Sequence, residues 1–206
     1  LDEFSNIKKG TLMDHFYQES TFGENWFDYP NLYKKIVNLA KENSHFVEVG
    51  SWKGRSASYM AVEIINSGKN IKFDCVDTWS GTNDPNEKES TPEYRNEPTI
   101  LNDTLFDLFL SNTNKVSHAI NPVRKASTEA AALYENNSLD FVFIDACHTY
   151  DCVTADIKAW LPKIKEGGIL AGHDIGYGPV TRAILENLEN CEQDGSCWVY
   201  YKINNR

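Results

Sequence analysis

Phe46-Val47-Glu48-Val49-Gly50-Ser51-Trp52-Lys53-Gly54-Arg55-Ser56 is the stretch that decides how this chain folds. A short apolar run carrying one acid enters a turn with two glycines. Residues 55–66 follow, with Ala57, Met60, Ala61, Ile64 and Ile65 at helical spacing and Ser67-Gly68 as a stop. A buried strand entering a helix through glycines is the opening unit of a parallel α/β sheet. Gly50 and Gly54 remove side chains that would keep a ligand off the backbone, and the helix start presents unpaired N–H groups. The spacing is G-x-x-x-G, so the dinucleotide pattern G-x-G-x-x-G is absent. Read alone, the segment also fits a tight strand-to-helix turn without a ligand.

Outward from this unit, short apolar runs alternate with helical periodicity. His45–Val49, 71–76, Leu139–Ile144 and 169–171 read as buried strands. Residues 116–120 form a weaker candidate, and 198–203 a terminal strand rich in β-formers. Helices are expected over 31–41, 128–134, 150–161 and 180–188, the last opened by Gly178-Pro179. The chain, 1–206, reads as one domain, with 1–44 as an N-terminal helical and lid segment. Residues 80–98 break the rhythm. They are polar, contain Pro85, Pro92 and Pro98, and read as a lid or a merely mobile insertion after a strand end. The short stretch 187–196 predicts a truncated edge strand.

Composition narrows the function classes. The 206 residues carry 30 acidic and 20 basic side chains, a formal net charge of -10. Apolar residues at 41% and aromatics at 12% suffice for a packed core, which excludes global disorder. No apolar run approaches the roughly 20 residues that span a bilayer. Phosphate binding needs a basic face, so neither a membrane nor a nucleic acid is an expected partner. Cys75, Cys147, Cys152, Cys191 and Cys197 are odd in number and contain no CxxC pair, giving no disulfide framework and no zinc-ligand spacing. A reducing, cytoplasmic setting is expected, and residues 1–10 lack the long apolar stretch of a secretory signal. A homo-oligomer is left open.

Three further segments carry chemistry. Phe73-Asp74-Cys75-Val76-Asp77-Thr78-Trp79 ends a strand on Asp77, where an acid can accept both hydroxyls of a ribose. It can equally cap a turn. Phe143-Ile144-Asp145-Ala146-Cys147-His148-Thr149-Tyr150-Asp151 places a histidine three residues after a strand-end acid, a spacing suited to metal ligation or proton removal. Gly167-Gly168-Ile169-Leu170-Ala171-Gly172-His173-Asp174 ends another strand in His-Asp. Adjacent strands would gather Asp145, His148, His173 and Asp174 at one rim.

With these pieces in order, the sequence resembles class I S-adenosylmethionine-dependent methyltransferases, over roughly residues 25–202. It is most similar to the small-molecule branch that includes catechol and macrolide-sugar O-methyltransferases. The resemblance rests on the E-x-G-x-x-x-G turn, Val76-Asp77-Thr78-Trp79, Arg124-Lys125-Ala126-Ser127-Thr128-Glu129-Ala130-Ala131 and the two acid-histidine segments. It implies an α/β, Rossmann-like methyltransferase fold: a mostly parallel twisted sheet, helices on both faces and an antiparallel last strand. It also implies S-adenosyl-L-methionine as cofactor. The methionine end would meet Glu48, Gly50, Ser51 and Trp52, with Gly54 and Ser56 completing the turn. Asp77 would hold the ribose with Trp79 near it, Ala126 and Ser127 would meet the adenine, and Asp145 would lie close to the transferred methyl. Ser127 also reads as a helix N-cap.

Methyl transfer requires the acceptor oxygen to lose its proton as it attacks. A histidine can take that proton at neutral pH, and a carboxylate-held divalent ion can instead lower the hydroxyl pKa. In metal-dependent relatives of this kind the acids match Asp145 and Asp174, but the Asn or Asp usual after the second acid is Ile175 here. His148 or His173 is therefore the expected base, with Mg²⁺ or another divalent cation optional. The expected acceptor is a small molecule or sugar. Trp26, Phe27 and Tyr29 are expected at the pocket mouth or packed beneath the helix over 31–41. Two other readings stay open: a nucleotide-binding oxidoreductase of related fold, and a binding protein that has lost catalysis.

Overall fold

The structure is a computed structural model that describes residues 12–81 and 97–203. Most of the 80–98 insertion, with its acids Asp84, Glu87, Glu89 and Glu93, lies outside the described residues, as does the N-terminal stretch 1–11.

Seven strands form one sheet: β1 (His45–Val49), β2 (Lys72–Asp77), β3 (Asn121–Arg124), β4 (Leu139–Ile144), β5 (Ile164–Gly172), β6 (Glu192–Asp194) and β7 (Cys197–Tyr201). Their order is β3-β2-β1-β4-β5-β7-β6. β1 to β5 are parallel; β7 runs antiparallel to β5, and β6 antiparallel to β7. The helices are α1 (Pro30–Leu39), α2 (Arg55–Ser67), α3 (Pro98–Leu101), α4 (Leu105–Thr113), α5 (Ser127–Ala131), α6 (Tyr150–Trp160) and α7 (Gly178–Asn187).

Strand residues alternate between two cores, because successive side chains leave opposite faces of a sheet. Phe46, Phe73, Phe141 and Phe143 join α1, α2 and α4 on one face. Val47, Val49, Val142 and Ile144 join α5, α6 and α7 on the other. A strand buried on both faces reads as a continuous apolar run, which is why β1 and β4 are plain in the sequence. Met60, fully buried on α2, marks how much the first layer contributes. Truncating such a side chain to alanine costs about 2–5 kcal/mol.

One departure from the sequence reading has a local cause. Residues 116–120 are not a strand: Asn114–Ala119 forms a 3-10 helix that buries Val116, and β3 starts at Asn121. β3 is an edge strand, so Pro122 is tolerated although it cannot donate to a ladder. The terminal edge is indeed short, with three residues in β6.

The sheet order reverses direction between β1 and β4, and ligands of open α/β sheets gather outside the carboxyl strand ends at such a point. Val49 pairs with Val76 and with Ile144, and Ile144 with Gly172. Gly50, Asp77, Asp145 and His173 therefore follow their strands onto one rim.

Candidate functional site

The glycine turn is shaped by the strand beside it. Gly50 donates to the Val76 carbonyl at 2.8 Å, and the Asp145 amide donates to the Val49 carbonyl at 2.8 Å. At φ 94° a Cβ on Gly50 would lie 1.9 Å from the Asp145 carbonyl oxygen. Close approach of β1 to β4 thus demands glycine there, whatever the ligand. A Cβ on Gly54, also at positive φ, would meet Thr113 and Phe109 of α4. That glycine serves packing and lines neither cleft described below.

Asp77 ties the turn down. One carboxylate oxygen accepts the Trp52 amide and the other the Trp79 amide, each at 2.8 Å. Burial raises its pKa above the ordinary value despite those backbone donors. Asp77 also lines a cleft of about 360 Å³ running from Gly50 and Trp52 past Thr78 to residues 125–128. Cys152, Ala155 and Asp156 of α6 close its far side. Burial pushes Asp156 up to about 6, while its bond with Ser127 works the other way.

A second cleft, about 420 Å³, opens on the other side of the turn. Its walls are Phe22, Trp26, Asp28 and Tyr29 from the N-terminal segment, Ser51 from the turn, Arg55 and Ser56 from the start of α2, and Asp145, His148, His173 and Asp174. Gly50, Trp52 and Asp145 line both clefts. Trp52 (φ 46°) and Asp174 (φ 59°) hold left-handed backbone, a conformation that costs side-chain-bearing residues energy and gathers at functional sites.

The acid-histidine cluster assembles as its spacing suggested. His148 Nε2 lies 3.0 Å from Asp174 Oδ2 and 3.6 Å from Asp145 Oδ1. His173 Nδ1 lies 3.2 Å from Asp174 Oδ2 and 3.6 Å from Asp145 Oδ1. Burial disfavours charge on His173, but its bonds to Asp145 and Asp174 outweigh that and push its pKa up to about 10. Burial likewise opposes charge on Asp145 and Asp174, and the two histidines hold both carboxyls below the ordinary range. The Tyr29 hydroxyl donates to Asp145 Oδ2 at 2.8 Å. Burial and the neighbouring Asp145 raise that phenol well above the usual tyrosine value, so it stays a donor. Asp28 Oδ1 lies 3.1 Å from His173 Nε2 and accepts from the Ser196 hydroxyl at 2.6 Å.

One ligand atom each from Asp145, His148 and Asp174 lies within 4.8 Å of the other two. Two carboxylate oxygens and one imidazole nitrogen suit Mg²⁺ or Mn²⁺ better than a thiol-loving ion. His148 stands where the sequence, with Ile175 after Asp174, offers no third acid.

Several expected contacts fall elsewhere. Glu48 lines neither cleft: it is 1% exposed, takes a bond from Tyr33 at 2.8 Å, and burial raises it to about 7. Trp79 is fully buried against Phe106 and Phe109, its indole N–H donating to the Trp52 carbonyl at 2.9 Å, so it shapes the turn from beneath. Ala126, not Ser127, is the N-cap of α5, and no side chain caps that end. Ser127 instead accepts from the Trp160 indole at 2.9 Å while lining the first cleft beside Ala126. Trp26 lies at the mouth as expected, but Tyr29 reaches through to Asp145. Asp28, Ser196 and Asp156 carried no signal, because nothing in their local spacing distinguishes them from solvated polar residues.

A mostly parallel seven-stranded sheet with an antiparallel β7 and helices on both faces is the Rossmann-like fold of class I S-adenosylmethionine-dependent methyltransferases. Residues 47–175 match the model of a family described as "Methyltransferase domain", and the chain belongs to that family. The oxidoreductase reading falls with that match. Over 128 residues the chain is 25% identical to the uncharacterized protein y4gI of Sinorhizobium fredii (strain NBRC 101917 / NGR234), covering 62% of this chain and only 13% of that protein. The solved O-methyltransferase NovP superposes with a TM-score of 0.61 at 13% identity, over 85% of this chain and 79% of NovP. The calicheamicin methyltransferase CalS11 gives 0.53 at 15%, over 83% and 76%. An rRNA methylase from Streptococcus thermophilus gives 0.54 at 12%, over 84% and 95%. At these identities the structures share the fold. Among the described residues no helix is long and apolar enough to cross a membrane.

Proposed function

We propose that this protein moves the methyl group of S-adenosylmethionine to a hydroxyl of a small molecule or sugar. The observation that carries the reading is the meeting of the two clefts at Gly50, Trp52 and Asp145. The nucleoside occupies the first cleft, with the ribose at Asp77 and the adenine at Ala126 and Ser127. The sulfonium then faces the junction, and the acceptor enters the second cleft between Trp26, Trp52 and the acid-histidine cluster.

The acceptor oxygen forms a bond to the methyl carbon as the carbon–sulfur bond breaks, leaving S-adenosylhomocysteine, a methyl ether and one proton. His148 stands within reach of that site and takes the proton when its ring is neutral. Asp145 and Asp174 hold the ring at Nε2, at 3.6 and 3.0 Å. Asp145, His148 and Asp174 would instead hold a divalent ion, which when bound lowers the pKa of an acceptor hydroxyl so that its proton passes to solvent, and His148 would then be a ligand rather than the base. Glu24, Asp28, Asp145 and Asp174 outnumber the cations Arg55 and His173 along the second cleft, a balance that disfavours a phosphate backbone and favours a neutral, hydroxylated acceptor over RNA.

Calorimetry with S-adenosylhomocysteine and with NAD tests the cofactor: one site for the sulfur ligand and none for NAD is expected. Failure to bind either S-adenosylmethionine or S-adenosylhomocysteine overturns the proposal. Transfer of label from methyl-labelled cofactor to rRNA, with none to hydroxylated small molecules, would overturn the acceptor class.

A further inference from the structure

The N-terminal segment reaches the junction of the clefts through one atom. Tyr29 stands immediately before α1, followed by Pro30 at the first helical position. Its ring is 6% exposed and packs on Phe143 and Phe27 at 4.7 Å each and on His173 at 4.9 Å. Such a ring has one place to put its hydroxyl. That hydroxyl donates to Asp145 Oδ2 at 2.8 Å, across 116 residues of sequence.

A carboxylate has two oxygens and a broad terminal torsion, so its own rotamer preference does not decide which oxygen faces a site. At Asp145 the phenol engages Oδ2, and Oδ1 is the atom nearest His148 and His173, at 3.6 Å from each. We infer that Tyr29 is a positioning residue: by holding Oδ2 it presents Oδ1 of Asp145 to a divalent cation shared with His148 and Asp174. This rests on the ion site proposed above. Hydrogen-bonding partners behind metal ligands fix ligand orientation, and their loss typically lowers metal affinity about 10–100-fold.

Tyr33 supplies an internal control. Its hydroxyl donates to the buried Glu48 at 2.8 Å, a phenol–carboxylate bond of the same kind that touches neither cleft. Both tyrosines can be changed to phenylalanine with the ring packing kept, and coincident thermal melts by two probes verify folding.

The test is a Mn²⁺ titration of the full chain, counting free ion by its paramagnetic resonance signal. Wild type should take up one Mn²⁺, and Asp174→Asn should abolish the site. Tyr29→Phe should weaken it by about 10-fold or more, and Tyr33→Phe should stay within two-fold of wild type. Equal affinity in Tyr29→Phe and wild type overturns the positioning role while leaving the ion site standing. Equal weakening in Tyr33→Phe overturns it too, since general loosening would then explain the effect. Absence of Mn²⁺ uptake by wild type overturns the ion site and the inference with it.

Discussion

Glu48→Gln tests whether the acid of the glycine-turn strand is a buried group rather than a ligand-facing one. Glu48 is 1% exposed, and burial lifts it from 4.5 to about 7 against the opposing bond from Tyr33. Between those values the folded chain holds a proton that the unfolded chain has released. Stability therefore falls as pH rises through this window, the opposite of a salt-bridged acid. Integrating the two titrations gives a loss of about 2.5 kcal/mol between pH 5 and pH 8. Glutamine keeps the shape and still accepts from Tyr33 but cannot ionise. Urea unfolding of both proteins at pH 5, 6, 7 and 8 should show glutamine gaining on wild type by about that amount, mostly between pH 5 and 7. A constant difference, within about 0.5 kcal/mol across the series, would refute the reasoning. It would mean that Glu48 is solvated or charge-paired in the folded state.

Gly50→Ala adds both a strained φ, about 1–2 kcal/mol, and a backbone clash, about 1–3 kcal/mol; urea melts should show a combined loss of about 2–5 kcal/mol, and a loss below 1 would contradict the contact with Asp145. Asp77→Asn should weaken S-adenosylhomocysteine binding in calorimetry by roughly 10-fold or more, the value of about 1.5–3 kcal/mol for hydrogen bonds to a charged acceptor. It should also lower the melting temperature, because the carboxylate holds the Trp52 and Trp79 amides. Unchanged affinity would remove Asp77 from the ribose. Asp74, 1% exposed, is held down to about 2: burial opposes its charge, but His45, Asn121 and Tyr134 outweigh it. Its contribution, about 2.4 kcal/mol, is fully present above about pH 5 and lost as pH falls through 2; Asp74→Asn should flatten that acid limb in pH-dependent unfolding.

Strands β1 and β4, helix α2 and the strand-end acids were legible in the sequence, because they are written in local patterns. Burial on both faces makes a continuous apolar run, a helical layer makes a 3.6-residue period, and a parallel sheet sends every carboxyl strand end to one rim. Those rules alone bring Gly50, Asp77, Asp145, His148, His173 and Asp174 together. Glycine at position 50 was legible too, but its reason was not. The sequence suggests room for a ligand, and the structure shows a carbonyl of the neighbouring strand 1.9 Å from where a Cβ would lie. Val116 and Ile120 misled because two buried apolar residues in a short run fit more than one backbone: Val116 lies in the 3-10 helix Asn114–Ala119 and Ile120 is extended just beyond it.

What only tertiary structure decided is which face each side chain meets. Glu48 and Asp77 are both acids on strands beside the turn, yet one points into the core and pairs with Tyr33 while the other lines a cleft. Trp52 and Trp79 both flank that turn, and only Trp52 reaches the cavity. The bond from Tyr29 to Asp145 spans 116 residues, and contacts of that range leave no trace in local spacing. Sequence periodicity reports the direction of a side chain relative to its own strand or helix. The surplus of acids is thereby divided by packing between solvent, core and the rim where the two clefts meet.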